Sequence, residues 1–407
     1  MSSHHSLPRK YHRGLAALLA ALASVGPFSI DAYLPSMPEI GRVLGTDLLT
    51  VQQTLTAYML PFAIMSLWHG AISDALGRRR VILWGTALFA LASVGCALAS
   101  SINMLLFFRA LQGTTAGAGV VVGRAIVRDH FHGPEAQRVM SQVSLTFALA
   151  PALAPVIGGW LEVWFGWRAV FVFLALFGLA CWLLCRTRLP ESLPVEKRQP
   201  INPAFLLRSY RHVLTSRRFL GLSLAITLTF SGFFIYVTSA PMFLMRHLHI
   251  SATGFLWLFG PTSAGMIVGA WMSGRMADRW SSRRTLVWSF AIMAVATAGQ
   301  IGFHLLHRPE LPWSIVPLFF YVVGMSLSFP TLTLLALDVF PAQRGMASSC
   351  QAFIQTTGTT LNATLVPFVW GSVFSLAVTQ AVLLVLAAAA LALYRWGGAS
   401  GIIESGD

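Results

Sequence analysis

The sequence predicts an all-α membrane protein of twelve transmembrane helices, arranged as two six-helix halves. Three observations predict it: the composition, the spacing of apolar segments and an internal repeat. Of 407 residues, 56% are hydrophobic and only 10% are charged, against roughly 25% charged in an average soluble domain. So few charges cannot cover a soluble protein of this length. That excludes a soluble enzyme, a disordered chain and a secreted disulfide scaffold. The net charge is +14, from 28 basic and 14 acidic residues. In a soluble chain this excess would point to nucleic acid. In one this apolar it points to basic cytoplasmic loops and a lipid bilayer as partner, with no nucleic acid.

A membrane helix needs about 20 mostly apolar residues. Segments of that kind are expected near 13–34, 50–72, 80–99, 103–126, 137–161, 167–186, 219–241, 252–274, 284–306, 312–336, 346–369 and 372–394. The longest polar stretch, 188–218, sits near the midpoint and divides the chain into an N-terminal half (1–187), a central loop and a C-terminal half (219–407). The basic start, apolar run and ALAS near residue 24 resemble a signal peptide. The run continues past the cleavage point into GPFSIDAYLP, so the segment reads as a span.

Basic residues set the orientation. With both termini in the cytoplasm, that side holds Arg9, Lys10, Arg13, Arg78, Arg79, Arg80, Arg128, Arg138, the central loop, Arg275, Arg279, Arg283, Arg284, Arg344 and Arg395. The other side holds Arg42, Arg168, Arg246 and Arg308, so the bias follows the positive-inside rule. Trp164, Trp167, Trp280, Trp313 and Trp396 fall near span ends, as interfacial belts do. Cys96, Cys181, Cys185 and Cys350 lie within spans and read as small packing residues. The histidines are scattered, and no metal site is expected.

The loop after span two reads GAISDALGRRR, and the loop after span eight reads GRMADRWSSRR. Gly70, Asp74, Arg79 and Arg80 match Gly274, Asp278, Arg283 and Arg284 at a constant offset of 204, half the chain. Parallel repeats of six spans follow from this match. The second copy has Ser281 and Ser282 where the first has Gly77 and Arg78.

The pattern Gly70-x-x-x-Asp74-x-x-Gly77-Arg78-Arg79-Arg80 resembles the signature loop of the major facilitator superfamily. Three further stretches narrow the resemblance to drug:proton antiporters of the bicyclomycin- and chloramphenicol-resistance type. They are Asp31–Pro38 in span one; Arg109–Gly113 continuing to Gly123–Asp129 in span four; and Ala150–Gly159 in span five, followed by Gly166-Trp167-Arg168. The resemblance covers nearly the whole chain. It implies a proton-coupled exporter of small amphipathic compounds in the bacterial inner membrane. It also implies a monomer working by alternating access, with small molecules and protons as partners. No cofactor is expected beyond the proton gradient, and no G-x-x-x-x-G-K-[ST] loop is present to hold ATP. A transporter of a metabolite such as a purine, amino acid or sugar would carry the same motifs and is the alternative.

Asp31 follows about 18 apolar residues with no acidic neighbour in its span. An intramembrane carboxylate should face a cavity, and desolvation favours its protonated form. That suits a proton carrier; the other reading is an interfacial Asp that caps the turn before Pro35. Arg109 is the basic residue well inside a span. It cannot practically lose its proton and so needs an anion, a polar network or water. Direct or water-bridged coupling to Asp31 is expected, with Gln112 one turn away; the alternative is a brace between helices. Similar exporters use the equivalent arginine in proton coupling.

Gly70, Asp74, Gly77, Arg78, Arg79 and Arg80 are expected to form a conformational latch, extended by Arg128 and Asp129 and by Asp278 in the second copy. The resemblance implies that Asp74 faces the N-terminus of span eleven. Breaking that contact would favour the inward-facing state. The plainer reading is that the arginines simply anchor the loop. In span five, Pro151 and Pro155 permit a bend, and Gly158 and Gly159 permit close helix approach. In the superfamily this stretch marks exporters that exchange against protons. The substrate cavity is expected to include Tyr33, Phe233, Tyr236, Gln351, Gln355 and Asn362, a neutral lining that suits weakly charged amphipathic ligands.

Overall fold

The computed structural model describes residues 9–131, 133–200, 202–277 and 279–396. Among the described residues all regular structure is helical. The helices are α1 Arg9–Asp31, α2 Met37–Leu44, α3 Leu48–Leu76, α4 Arg78–Ala97, α5 Ile102–His130, α6 Gly133–Phe165, α7 Arg168–Arg188, α8 Pro203–Leu214, α9 Arg217–Thr238, α10 Leu256–Met276, α11 Ser282–Leu306, α12 Val316–Asp338, α13 Arg344–Leu365 and α14 Val373–Trp396. Among the described residues, ten stretches are long and apolar enough to cross a membrane. α6 contributes a shorter apolar run, Leu149–Phe165. α13 is rich in Ser, Thr, Gln and Asn and falls below that threshold. Large apolar side chains such as Trp84, Leu91, Val295 and Val385 are exposed, as a lipid-facing belt requires.

Several helix starts follow local chemistry. The side chains of Asp47, Ser101, Ser216 and Ser281 accept hydrogen bonds from the backbone N–H groups of Thr50, Met104, Phe219 and Arg284, capping α3, α5, α9 and α11. The Thr50 hydrogen bonds also hold the Asp47 carboxyl below the usual carboxylate range. The turn between α3 and α4 needs Gly77, whose φ is 97°.

Two expectations change. Span one does not end near residue 34. The helical stretch runs from Gly14 to Leu44, with a break after Asp31 and a 3-10 turn at Leu34–Ser36. Pro35 and Pro38 each occupy the first turn of a helical segment, where a missing N–H is harmless. The chain therefore turns and continues, with Ala32–Met37 buried. The central loop is not uniformly irregular either. It contains α8, whose Tyr210 and Val213 are buried in an apolar cluster with α9, α12 and α13. The Tyr210 hydroxyl donates to the Leu67 carbonyl at 2.7 Å, and burial pushes it up to about 12.

Helices α1–α7 pack among themselves chiefly through α3/α5, α4/α5, α4/α7 and α1/α6; α9–α14 do so through α9/α14, α11/α12 and α10/α12. The two groups meet where α3 faces α13 and α6 faces α10. Among the described residues, the direct side-chain hydrogen bonds between α1–α7 and α9–α14 lie at the end away from Arg78–Arg80, while α8 reaches α3 nearer the basic end through Tyr210 and Leu67. Gln52 Nε2 donates to the Ala363 carbonyl at 3.2 Å, and the Thr56 and Thr364 hydroxyls are 3.1 Å apart. The apolar core divides in the same sense. One cluster runs through α1–α7 into the part of α9–α14 at that end, and a second occupies α8 with the basic-end parts of α9, α12 and α13. The two groups of helices thus share one apolar core at the end opposite the basic loops.

Candidate translocation site

The break in α1 creates the centre of the site. Because α1 ends at Asp31, the Ser29 carbonyl lacks the helical partner a continuing helix would supply. Arg109 of α5 fills that role: its Nη1 donates to the Ser29 carbonyl at 3.1 Å and to Gln112 Oε1 at 3.0 Å. The guanidinium also lies 4.5 Å from the Tyr58 ring centroid and 4.8 Å from that of Tyr33, within cation–π range of both. Gln112 Nε2 donates to Ser93 Oγ at 2.7 Å, extending the network to α4. Tyr33 is fixed by a short hydrogen bond to Thr54. Arg109 and Gln112 are fully buried. Among the described residues, two guanidinium nitrogens of Arg109, Nε and Nη2, have no hydrogen-bond partner, so the cation keeps donors in reserve.

Asp31 is 5% exposed. Among the described residues its carboxylate forms no ion pair and accepts no hydrogen bond, so it caps no turn. Of the direct or water-bridged coupling to Arg109 expected from sequence, the direct pair is not formed among the described residues. Arg109 reaches the carbonyl two residues earlier and the two tyrosine rings instead. Tyr33, expected in the substrate cavity, packs beside the arginine.

The α3–α4 loop is a charge network within α1–α7. Arg78 Nη1 lies 2.5 Å from Asp74 Oδ1, and Arg78 Nε lies 3.3 Å from Asp129 Oδ2. Among the described residues Asp74 pairs with Arg78, and no hydrogen bond or ion pair joins it to the start of α13. Arg344, at that start, pairs with Asp338 at 2.6 Å. The physical reason is the arrangement above: α3 and α13 are linked at their opposite ends. Gly70 faces Val121 of α5 without crowding. Arg80 and Arg128 are exposed, and Asp278 lies outside the described residues.

The central loop completes this network with residues that the sequence reading missed. Glu191 accepts from the backbone N–H groups of Arg78 at 2.8 Å and Arg79 at 3.3 Å, at the start of α4. Ser192 Oγ donates to Asp129 at 2.7 Å. The only available signal was an acid in a loop of no evident register. A second omission is His69, a buried imidazole of α3 whose Nδ1 lacks a partner among the described residues.

Pro151 and Pro155 lie inside α6. Gly158 and Gly159 face backbone on opposite sides: Gly158 abuts the Ala32 carbonyl of the same helix group, Gly159 the Ala252 carbonyl just before α10. Neither leaves room for a Cβ. Gly158→Val should therefore lower the yield of folded protein. Gly159→Val should leave a monodisperse protein whose transport falls at least tenfold, because the seal between α6 and α10 cannot close. Size-exclusion profiles beside flux assays separate the two effects.

Phe233 and Tyr236 of α9 are buried in the apolar core that the two helix groups share. Asn362 donates to the Ser231 carbonyl at 2.7 Å and Gln351 to Thr333 at 3.2 Å. These two are held by their own helix group. Gln355 is half-buried.

Two groups of packed helices, with ten stretches among the described residues long and apolar enough to cross a membrane, fit a multi-pass membrane protein, with a buried arginine inside the first group. The chain belongs to the Major Facilitator Superfamily, whose family profile matches residues 17–363. It is 34% identical over 347 residues to an "Uncharacterized MFS-type transporter YdgK" of Bacillus subtilis, covering 85% of this chain and 86% of the relative. It is 29% identical over 331 residues to a "Bicyclomycin resistance protein homolog" of Haemophilus influenzae, covering 81% and 83%. Among solved structures, a partially occluded inward-open xylose transporter XylE from E. coli superposes with TM-score 0.74 at 14% identity, covering 96% of this chain and 100% of that one. At that identity the likeness is one of fold. The family and its bacterial relatives place the chain in the inner membrane as a multi-pass protein.

Proposed function

We propose that this protein is a proton-coupled antiporter that exports small amphipathic compounds, drugs among them, by alternating access. In this reading the chain spans the membrane twelve times, in halves 1–187 and 219–407 joined by a cytoplasmic loop. Both termini and the basic end face the cytoplasm, and the protein acts as a monomer. α6 and α13 supply the two spans beyond the ten that length and apolarity alone identify. The polarity of α13 suits a helix that lines the path.

The observation that carries the reading is the unpaired, nearly buried Asp31 at the break in α1, beside an arginine that holds two donors unfilled. Asp31 takes a proton from outside as substrate leaves. It releases that proton inside as the next substrate binds. Arg109 keeps the surroundings polar in both states, and its free donors receive whatever anion or acceptor the cycle presents. The Asp74–Arg78–Asp129 network belongs to the state sealed at the outer end. Release of Asp74 toward α13 belongs to the alternate state. One proton crossing 100 mV supplies about 2.3 kcal/mol. That sustains a gradient of roughly 50-fold for a neutral substrate.

The relatives' printed names, bicyclomycin resistance and multidrug resistance among them, support drugs as the substrate class. The test is a resistance screen in an efflux-deficient bacterial host, with wild type and Asp31→Asn side by side. The expected result is raised resistance to at least one amphipathic drug, lost in the variant. Export of a purine, amino acid or sugar without any resistance would replace the drug reading by the metabolite one.

A further inference from the structure

A second basic constellation lies away from Asp31 and Arg109. Gly14 and Leu15 of α1, Arg79 of α4 and the stretch Arg186–Glu191 at the end of α7 enclose a cavity of about 570 Å³ at the basic end. Arg79 is half-buried, and Arg186 and Arg188 are exposed. Among the described residues none of the three forms an ion pair. Arg79 Nη2 donates to the Arg186 carbonyl at 2.8 Å, which ties α4 to α7 and fixes one wall. The Arg186 guanidinium rests 5.2 Å from the Trp182 ring centroid. The acid in the lining, Glu191, is already engaged by the Arg78 and Arg79 N–H groups, by Leu193 N–H at 3.1 Å and by Arg198 at 3.8 Å. Its single negative charge is shared with Arg198 and faces three arginines in the lining, so the cavity keeps an excess of positive charge.

The α7 wall of the cavity continues into an apolar track. On α7, Val172, Leu176, Leu179 and Leu183 are exposed. Their spacing puts them on one helix face, and the next turn along that face carries Arg186. A small soluble anion would use the arginines and leave the track idle. A molecule with a phosphate head and acyl chains would use both. Guanidinium groups match phosphate oxygens geometrically, and basic side chains at a membrane surface attract anionic lipid.

We propose that this cavity binds the phosphate headgroup of an anionic phospholipid from the leaflet at the basic end, with an acyl chain along the α7 track. The proposal rests on membrane insertion, which the family establishes, and not on proton coupling or substrate. It is tested on the full chain purified in neutral detergent and mixed with equimolar phosphatidylglycerol and phosphatidylcholine, bound lipid being counted by native mass spectrometry. Wild type should retain phosphatidylglycerol over phosphatidylcholine by at least about tenfold, the size expected for two interfacial cations. Arg186→Gln with Arg188→Gln should abolish the preference. Arg186→Lys with Arg188→Lys should keep part of it. Arg283→Gln with Arg284→Gln, which removes equal charge from the other half, should leave it intact. Equal retention of the two lipids by wild type overturns the proposal. So does a preference lost equally in the Arg283/Arg284 control. Inorganic phosphate that binds wild type as tightly as the lipid, with no lipid preference, would mark an anion pocket and overturn it as well.

Discussion

Asp31→Asn should still bind substrate yet lose export driven by a pH gradient. Asparagine is nearly isosteric with protonated aspartate, so the buried turn at the end of α1 keeps its shape and the protein stays folded. What disappears is the exchangeable proton. A gradient of roughly 50-fold, the limit set by one proton at 100 mV, should collapse toward unity. Energy-independent counterflow of substrate should persist. The measurement is paired: ligand binding to purified protein, and substrate accumulation in inverted vesicles under an imposed pH gradient. Asp31→Glu should retain partial transport. The proton is kept, but an extra methylene enters a site that is only 5% exposed, and overpacking costs about 1–3 kcal/mol. Full pH-driven transport by the asparagine variant would remove Asp31 from the coupling step. The rival role, capping the turn before Pro35, predicts that result, since asparagine caps as well as aspartate. The absence of any backbone hydrogen bond to the Asp31 carboxylate among the described residues argues against that role.

The parts of the fold most legible in the sequence were those set by long-range repetition. Apolar runs of helix length announce themselves one by one. The offset between GAISDALGRRR and GRMADRWSSRR predicts corresponding loops without any contact information. Less legible were features that depend on which surfaces meet. Span one extends beyond its expected end near residue 34, across Pro35 and Pro38. In context each sits in a first turn, where proline lacks nothing it needs. α8 was hidden because its apolar face is too short to stand out. It is a helix because Tyr210 and Val213 find a partner cluster on α9, α12 and α13. The chemistry around Arg109 was half readable. A buried arginine demands partners, and Gln112 follows from helical spacing. Tyr58, on another span, and the Ser29 carbonyl, freed by a backbone break, carry no local signal. Glu191 was invisible for the same reason: its partners are two backbone N–H groups of α4, more than a hundred residues earlier in the chain.

Arg109→Ala should abolish coupled transport while reducing stability measurably, and Arg109→Lys should rescue stability far more than transport. The alanine variant removes a hydrogen bond to an otherwise unsatisfied carbonyl, a link to Gln112 and two aromatic contacts. Leaving one buried acceptor empty costs about 1–3 kcal/mol. Lysine restores a charge and one or two donors, enough to hold the Ser29 carbonyl. It does not restore the planar fork that bonds Ser29 and Gln112 while stacking between Tyr33 and Tyr58 with two nitrogens still open. If those open nitrogens serve the cycle, transport by the lysine variant stays at least about tenfold below wild type, a barrier change near 1.4 kcal/mol, even where its melting temperature is recovered. If Arg109 is only a brace between α1, α4 and α5, transport and melting temperature should recover together. Melting curves beside pH-driven efflux for the three proteins separate coupling from bracing. The Tyr58→Phe variant sharpens the distinction. It preserves the ring under the guanidinium and removes only the hydroxyl, whose hydrogen bond to the Gly26 carbonyl is long at 3.5 Å. Its transport should therefore stay near wild type, because Arg109 uses the face of that ring and not its oxygen.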